Sequence, residues 1–254
     1  GSAETVLRRF SSFDDIDHLR FDVTNVVHYL RPTGGAMIIG VGGGRDIQSA
    51  LLFGHERIVG VDVNPIFIDL LENEFREFAG IAGRPETTLI VDEARSYLSR
   101  SKENYSVVQM SLTDTWASTG AGAFSLSENG LYTIEAWQIF MDRLTSDGIF
   151  TVSRWYNPDN LGETGRVVAL AVASLLQSGV VDPSSHIALV TSGPLSTILL
   201  SKQPFSAQDI GKLDAIAFEL QYELPIRPGV PPGNQILNDI VSSNSLKELK
   251  LAIA

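Results

Sequence analysis

Cysteine is absent from this 254-residue chain, which excludes disulfides, thiolate metal ligands and cysteine nucleophiles. No apolar run approaches the ~18 residues that a membrane-spanning helix needs. The N-terminus also lacks the basic region and apolar core of a signal peptide. We therefore expect no direct membrane insertion by this chain. We also expect a cytoplasmic location, because a chain without cysteine fits a reducing compartment.

Clusters of basic residues are missing as well. The formal net charge is −11, with 19 Lys and Arg against 30 Asp and Glu, and this balance argues against nucleic acid as a partner. The four histidines show no metal-ligand spacing, so we predict no metal site. What is present is 44% hydrophobic residues, enough to bury the core of one large α/β domain.

The most informative stretch, residues 36–65, reads as strand, glycine-rich turn, helix, strand and acidic residue. Its first apolar run is typical of a strand buried on both faces. The following helix, beginning near Asp46, would point its N-terminal amides at the turn. Asp62 ends the second strand, where a carboxylate can accept both hydroxyls of a ribose. The glycines of the turn are Gly40, Gly42, Gly43 and Gly44.

Two interpretations of this unit stay open. A third glycine in the G-x-G-x-x-G register is missing, since Arg45 follows the turn, and this weakens an NAD interpretation. A tight strand-to-helix connection without a ligand is the plainer alternative. We favour a nucleoside ligand because strand, turn, helix and Asp62 are all in register.

Strand-like and helix-like patterns alternate along the rest of the chain. They predict an α/β fold with a doubly wound, mostly parallel seven-stranded sheet and a C-terminal antiparallel hairpin, as in S-adenosylmethionine-dependent methyltransferases. We divide the chain into an N-terminal segment (1–22), a Rossmann-like S-adenosylmethionine-binding domain (23–204) and a C-terminal helical extension (205–254) that ends as if truncated. Predicted helices cover residues 23–30, 46–53, 65–78, 134–144, 161–176 and 246–253, and a further helix starts over 94–98. Predicted strands cover 37–39, 58–61, 87–91, 105–110, 148–152, 186–191 and 196–200.

The motif order resembles the spermidine synthase family, the aminopropyltransferase branch of these transferases. The matching segments are IIGVGGGRD, VGVDVNP, VDEARSYL, YSVVQMSLTDTW and LYTIEAWQIFMDRLTSDGIFTVSRW, within residues 22–155. The sequence is most similar to domains that bacteria carry fused to multi-span membrane segments. This resemblance implies an enzyme that uses S-adenosylmethionine or its decarboxylated form and a small-molecule acceptor. It places the domain at the cytoplasmic face of the inner membrane if the domain is part of such a fusion, and a homodimer stays open.

The resemblance also assigns roles to residues at the strand ends. The turn glycines Gly40, Gly42 and Gly43 would lie along the amino-acid end of the ligand. Asp62 would hold the ribose, and Asp92 or Glu93 would meet the adenine amino group. Ala94 would leave room for the ring. The predicted cofactor-binding set is completed by Asp46, Val63 and Ser111.

Departures from the family pattern concern the chemistry. Gly43 stands where the family has an acidic residue that helps to select the decarboxylated donor. Ser111 stands where the family has the Asp that assists deprotonation of the attacking amine, and a serine is not a comparable base. Asp114 is therefore our candidate catalytic residue, although a helix-capping role is equally open. Arg45 could pair with the carboxylate of an intact donor, or simply be exposed.

Three functions follow, in this order. The first is transfer of a methyl or related group from S-adenosylmethionine to a small nucleophile. The second is aminopropyl transfer in polyamine synthesis, with substitutes for both missing acids. The third is a non-catalytic nucleoside-binding sensor.

Overall fold

The computed structural model describes residues 6–112 and 130–253. The strands are β1 (Gly35–Ile39), β2 (Arg57–Asp62), β3 (Thr87–Val91), β4 (Tyr105–Ser111), β5 (Leu144–Trp155), β6 (Ile187–Ser192), β7 (Leu195–Ser201) and β8 (Glu223–Ile226). The helices are α1 (Phe13–Ile16), α2 (Val26–Leu30), α3 (Arg45–Phe53), α4 (Pro65–Glu72), α5 (Arg76–Ala79), α6 (Ala94–Arg100), α7 (Ile134–Asp142), α8 (Gly162–Gln177), α9 (Ala207–Leu220), α10 (Gln235–Val241) and α11 (Leu246–Ala252).

One eight-stranded sheet runs through the described part of the chain in the order β3-β2-β1-β4-β5-β7-β6-β8. Strands β1 to β5 pair in parallel, whereas β7 lies antiparallel to both β5 and β6. The predicted α/β class, the mostly parallel sheet and the closing hairpin are confirmed. The predicted strand number is wrong, because β8 adds an eighth strand antiparallel to β6.

Helices cover both faces of the sheet, which gives two apolar cores. Met37 and Ile39 of β1 face the core that contains Trp137 and Phe150, whose ring centroids lie 4.9 Å apart. Ile38 points the other way, into the core formed with α2 and α3. This alternation explains why β1 is a continuous apolar run: both of its faces are buried.

Local sequence signals fix the ends of the helices beside the glycine turn. Gly44 precedes α3 with φ +83°, a left-handed conformation that glycine adopts without strain. Asn64 caps α4 by accepting a hydrogen bond from the backbone N–H of Ile66, and Pro65 occupies the first turn. Glu93 caps α6 in the same way. The chain therefore leaves β1, β2 and β3 through turns at one edge of the sheet.

Several predicted boundaries are wrong. The predicted helix 65–78 is two helices, because the backbone leaves the helical conformation at Asn73. The predicted helix 23–30 begins as a 3-10 turn (Val23–Asn25) before α2. The fifth strand, predicted over 148–152, is longer: β5 begins at Leu144 and pairs irregularly with β4 at that end.

Within residues 6–112 and 130–253, no helix combines the length and the apolar character needed to cross a membrane.

Candidate functional site

The glycine turn after β1 brings the backbone close to the end of β2. The N–H of Gly40 donates to the carbonyl of Val61 at 2.9 Å. Gly40 and Gly42 have φ values of +81° and +49°, which favour glycine over every other residue. Gly43, which follows Gly42 in the turn, is buried. The turn therefore presents main chain rather than side chains to the space above it.

Asp62 is fixed by two backbone donors. Its Oδ2 accepts from the N–H of Gly42 at 3.0 Å, and its Oδ1 accepts from the N–H of Asn64 at 2.9 Å. The side chain is buried, and half-buried Val63 follows it at the strand end. Each carboxylate oxygen can accept more than one hydrogen bond, so the anchored Asp62 keeps acceptor capacity for a ligand.

Asp92 and Glu93 follow β3, the neighbour of β2. The N–H of Asp92 donates to the carbonyl of Asp62 at 3.1 Å, which places the two acidic residues side by side. The Asp92 carboxylate accepts a hydrogen bond from the N–H of Glu93 at 2.8 Å and forms an ion pair with Arg100. Both Glu93 oxygens accept from N–H groups of α6, at 3.0 and 2.8 Å. Ala94 is buried against the sheet.

Arg45 lies where the glycine turn enters α3, and its guanidinium is already paired. It contacts the carboxylate of Asp22, donates to the Thr24 hydroxyl at 3.0 Å, and donates to Asp46 at 3.1 Å. Burial alone would raise the pKa of Asp22, but Arg45 and the Thr24 hydrogen bonds outweigh it and hold that pKa below its usual value. The cluster Asp22, Arg45, Asp46 carries one net negative charge when both acids are ionised.

Asp46 connects this cluster to the end of β4. Burial raises the pKa of Asp46, against the opposing effects of Arg45 and of a hydrogen bond from the Ser111 side chain. Ser111 also accepts from Gln109 Nε2 at 3.0 Å. The next residue, Leu112, has φ +35°, a strained conformation for a branched side chain. The chain thus turns sharply where the predicted chemistry would take place.

A chain of buried polar side chains, those of Gln109, His28 and His55, leads from Ser111 into the protein interior. Gln109 also donates to the carbonyl of Thr24 at 3.1 Å and contacts Nε2 of His28 at 2.9 Å. Nδ1 of His28 lies 2.9 Å from Nε2 of His55. Burial lowers the pKa of His28 to about 3, and it also lowers the pKa of His55. Both rings are therefore neutral near pH 7.

No protein-family model matches the sequence. Among solved structures, the spermidine synthase from Thermotoga maritima is similar over 92% of this chain and 74% of its own, with a TM-score of 0.53 and 17% identity. A probable spermidine synthase from Corynebacterium glutamicum is similar over 90% of this chain and 78% of its own, with a TM-score of 0.55 and 17% identity. The chain has the spermidine synthase fold.

A further structure with this spermidine synthase fold is a spermidine synthase in complex with the transition-state analogue AdoDATO, with a TM-score of 0.52 and 18% identity. It covers 92% of this chain and 73% of its own. At such identities the likeness establishes the architecture, and the roles of individual residues stay predictions.

In this spermidine synthase-like fold, the predicted cofactor-binding residues all lie at or beside the carboxyl ends of β1 to β4. Asp114 lies outside the described residues. Asp22 carries a weak sequence signal, because it stands just before the predicted helix 23–30 and caps the 3-10 turn found there. The pairing of Gln109, His28 and His55 has no sequence signal, since these residues come together only through the tertiary fold.

Proposed function

We propose that this chain is an S-adenosylmethionine-dependent transferase of the spermidine synthase-like type. The observation that carries the proposal is Asp62, buried at the end of β2 and held toward the glycine turn by Gly42 N–H. A carboxylate in this position suits the two hydroxyls of a ribose. The turn glycines, which carry no side chain, and the small Ala94 leave room for the remainder of an adenosine-containing ligand.

The bound donor would supply a carbon activated by its sulfonium, ready for attack by a nucleophile. This chain's residues would bind and orient it: Asp62 at the ribose, the strand end at Asp92 and Glu93 at the adenine. A neutral Gly43 and a neutral Ser111 remove the two acids that favour aminopropyl transfer. We therefore favour transfer of a methyl or related group to a small nucleophile.

Aminopropyl transfer is the second candidate, because Asp46 supplies a carboxylate beside Ser111 that could take over part of the missing acids' work. The fold shared with spermidine synthases supports the same candidate. Asp114 would then be the acid or base, in keeping with its predicted position after β4.

Calorimetric titration with S-adenosylhomocysteine tests the proposal. Asp62→Ala should lose roughly 1.5–3 kcal/mol of binding free energy, as expected for hydrogen bonds to a charged group. That loss corresponds to about a tenfold to 150-fold weaker Kd. Asp69→Ala is the matched control, since Asp69 is exposed on α4. A stably folded Asp62→Ala protein with unchanged affinity would remove Asp62 from the site, and absence of binding to the wild type would reject the proposal.

A further inference from the structure

A second concavity lies among helices on one face of the sheet, away from the strand ends. It is a groove of about 1120 Å³ between α8, α10 and α11, and none of the predicted cofactor-binding residues lines it. Its volume lies slightly above the range of about 300–1,000 Å³ that is typical of small-molecule sites. The groove is therefore distinct from the candidate donor site at the strand ends.

Small residues on one face of α8 form the floor of the groove. Gly165, Ala169 and Ala173 are spaced four residues apart and all line it. Ile240 of α10 and Leu249 of α11 close the floor and are 2% and 4% exposed. Interiors are normally filled to the density of an organic crystal. The short side chains of α8 instead leave unfilled space beneath the two C-terminal helices.

Large aliphatic side chains surround the mouth of the groove. Ile236, Leu246 and Ile253 line it and are 53%, 37% and 56% exposed. Exposed apolar side chains that continue into a buried apolar floor indicate a binding surface rather than scattered surface residues. The lining is thus suited to a hydrocarbon chain that enters from solvent.

The charges at the groove are of the opposite sign to the charge of the whole chain. Arg166 from α8 and Lys250 from α11 line it, against one carboxylate, Asp159. Neither cation forms an ion pair with any residue in the described ranges. In a protein of net charge −11, two cations at the rim of an apolar groove make a local site for an anion.

We propose that this groove binds a long-chain carboxylic acid, with the hydrocarbon chain on the α8 and α11 floor and the carboxylate between Arg166 and Lys250. A free amphipathic acid satisfies both features of the lining. A cationic amphiphile would be repelled by the two cations, and a short diamine would leave the apolar floor unoccupied.

Calorimetric titration with dodecanoate below its micelle concentration tests the proposal, with dodecyltrimethylammonium as the matched cation. We expect dodecanoate to bind and dodecyltrimethylammonium not to bind. Added salt should weaken the binding of dodecanoate, because the charges are exposed. Lys250→Gln should weaken it about two- to fivefold, the range for an exposed ion pair. Lys247→Gln, on the same helix but outside the groove, should leave it unchanged. Ala173→Phe should abolish it by filling the floor.

Three results would overturn the proposal. Equal binding of both amphiphiles would show that charge plays no part. Binding only to phosphatidylglycerol vesicles would make the groove a membrane-contact surface. Self-association in sedimentation, lost in Ala173→Phe, would make it an interface between copies of the chain. Thermal unfolding of each variant shows whether it is folded, and none of these results bears on S-adenosylhomocysteine binding.

Discussion

Two stretches of the same sheet edge are built differently. At the ends of β2 and β3, carboxylates are held by backbone: Asp62 accepts from Gly42 and Asn64, and Glu93 accepts from α6. At the end of β4, Ser111 is held by side chains, those of Gln109 and Asp46. A backbone N–H donor is present whatever the side chain of its residue, whereas a side-chain partner is lost when that residue is substituted. The proposed nucleoside binding therefore rests on the first stretch, and the proposed choice of reaction rests on the second.

Restoring the missing acid at β4 tests this contrast most severely. With putrescine and decarboxylated S-adenosylmethionine, we expect little product from the wild type, because Ser111 is a poor base. General-base assistance is typically worth about 10²–10⁴-fold in rate. Ser111→Asp should therefore raise putrescine-dependent product formation toward that range, since the introduced carboxylate would lie beside Asp46. Ser111→Asn, which adds no base, should stay at the wild-type rate.

Asp114→Asn belongs in the same assay. Robust wild-type turnover that this substitution abolishes would make Asp114 the base and would establish aminopropyl transfer as the function. No gain in any variant would mean that the end of β4 has lost the geometry of amine activation as well as the acid.

The same contrast explains how well each stretch can be predicted from the sequence. The glycine turn, Asp62 and the caps at Asn64 and Glu93 are local signals, and the strands they terminate were predicted within a few residues. The cluster around Ser111 depends on Asp22 and His28, which come from elements distant in sequence. Local pattern carries no information about such contacts. Arg45 illustrates this, because its pairing with Asp22, which lies in a different element, was not predicted.

In the C-terminal region the helix predicted over 246–253 is present, whereas α9 and β8 were missed for two different reasons. Helix α9 carries a usable signal, a capping box at Ser206 and Asp209 with apolar residues at helical spacing, which we did not recognise. Strand β8 has only four residues, and its burial does not alternate. It exists because β6 offers a free edge for pairing, which no local pattern reveals.

Acidification should destabilise the buried polar chain that supports Ser111. A histidine whose folded pKa is depressed binds fewer protons than in the unfolded chain, so stability falls as pH drops below the unfolded value of 6.5. Because the pKa of His28 is about 3 in the folded protein, the unfolding free energy keeps falling from pH 6.5 down to about pH 3. Between pH 7.5 and 5 the loss should reach about 2 kcal/mol of unfolding free energy, and His55 acts in the same direction.

Denaturant unfolding at pH 7.5, 6.5 and 5 measures this slope, in an interval above the usual titration of most carboxylates. His28→Gln should be less stable at pH 7.5 and should show a shallower pH slope than the wild type. His18→Gln, which replaces an exposed histidine, should keep the wild-type slope. A wild-type stability that is flat across this interval would contradict the neutral, buried state of the pair.

The smallest expected effect concerns donor choice at Arg45, where the two stretches meet. Because Asp22 and Asp46 already engage the guanidinium, the uncharged Gly43 alone gives the intact donor only a slight advantage over the decarboxylated one. Asp22→Asn removes one competing carboxylate and leaves Arg45 better able to attract the carboxylate of intact S-adenosylmethionine. The ratio of affinities should shift toward the intact donor by about two- to fivefold, the range for a partly exposed charge pair. Calorimetric titration with both donors measures the ratio, and Asp17→Asn, which removes an exposed partner of Arg20, is the control. An unchanged ratio in Asp22→Asn would place Arg45 outside the donor's reach, and a wild-type preference for the decarboxylated donor would favour aminopropyl transfer.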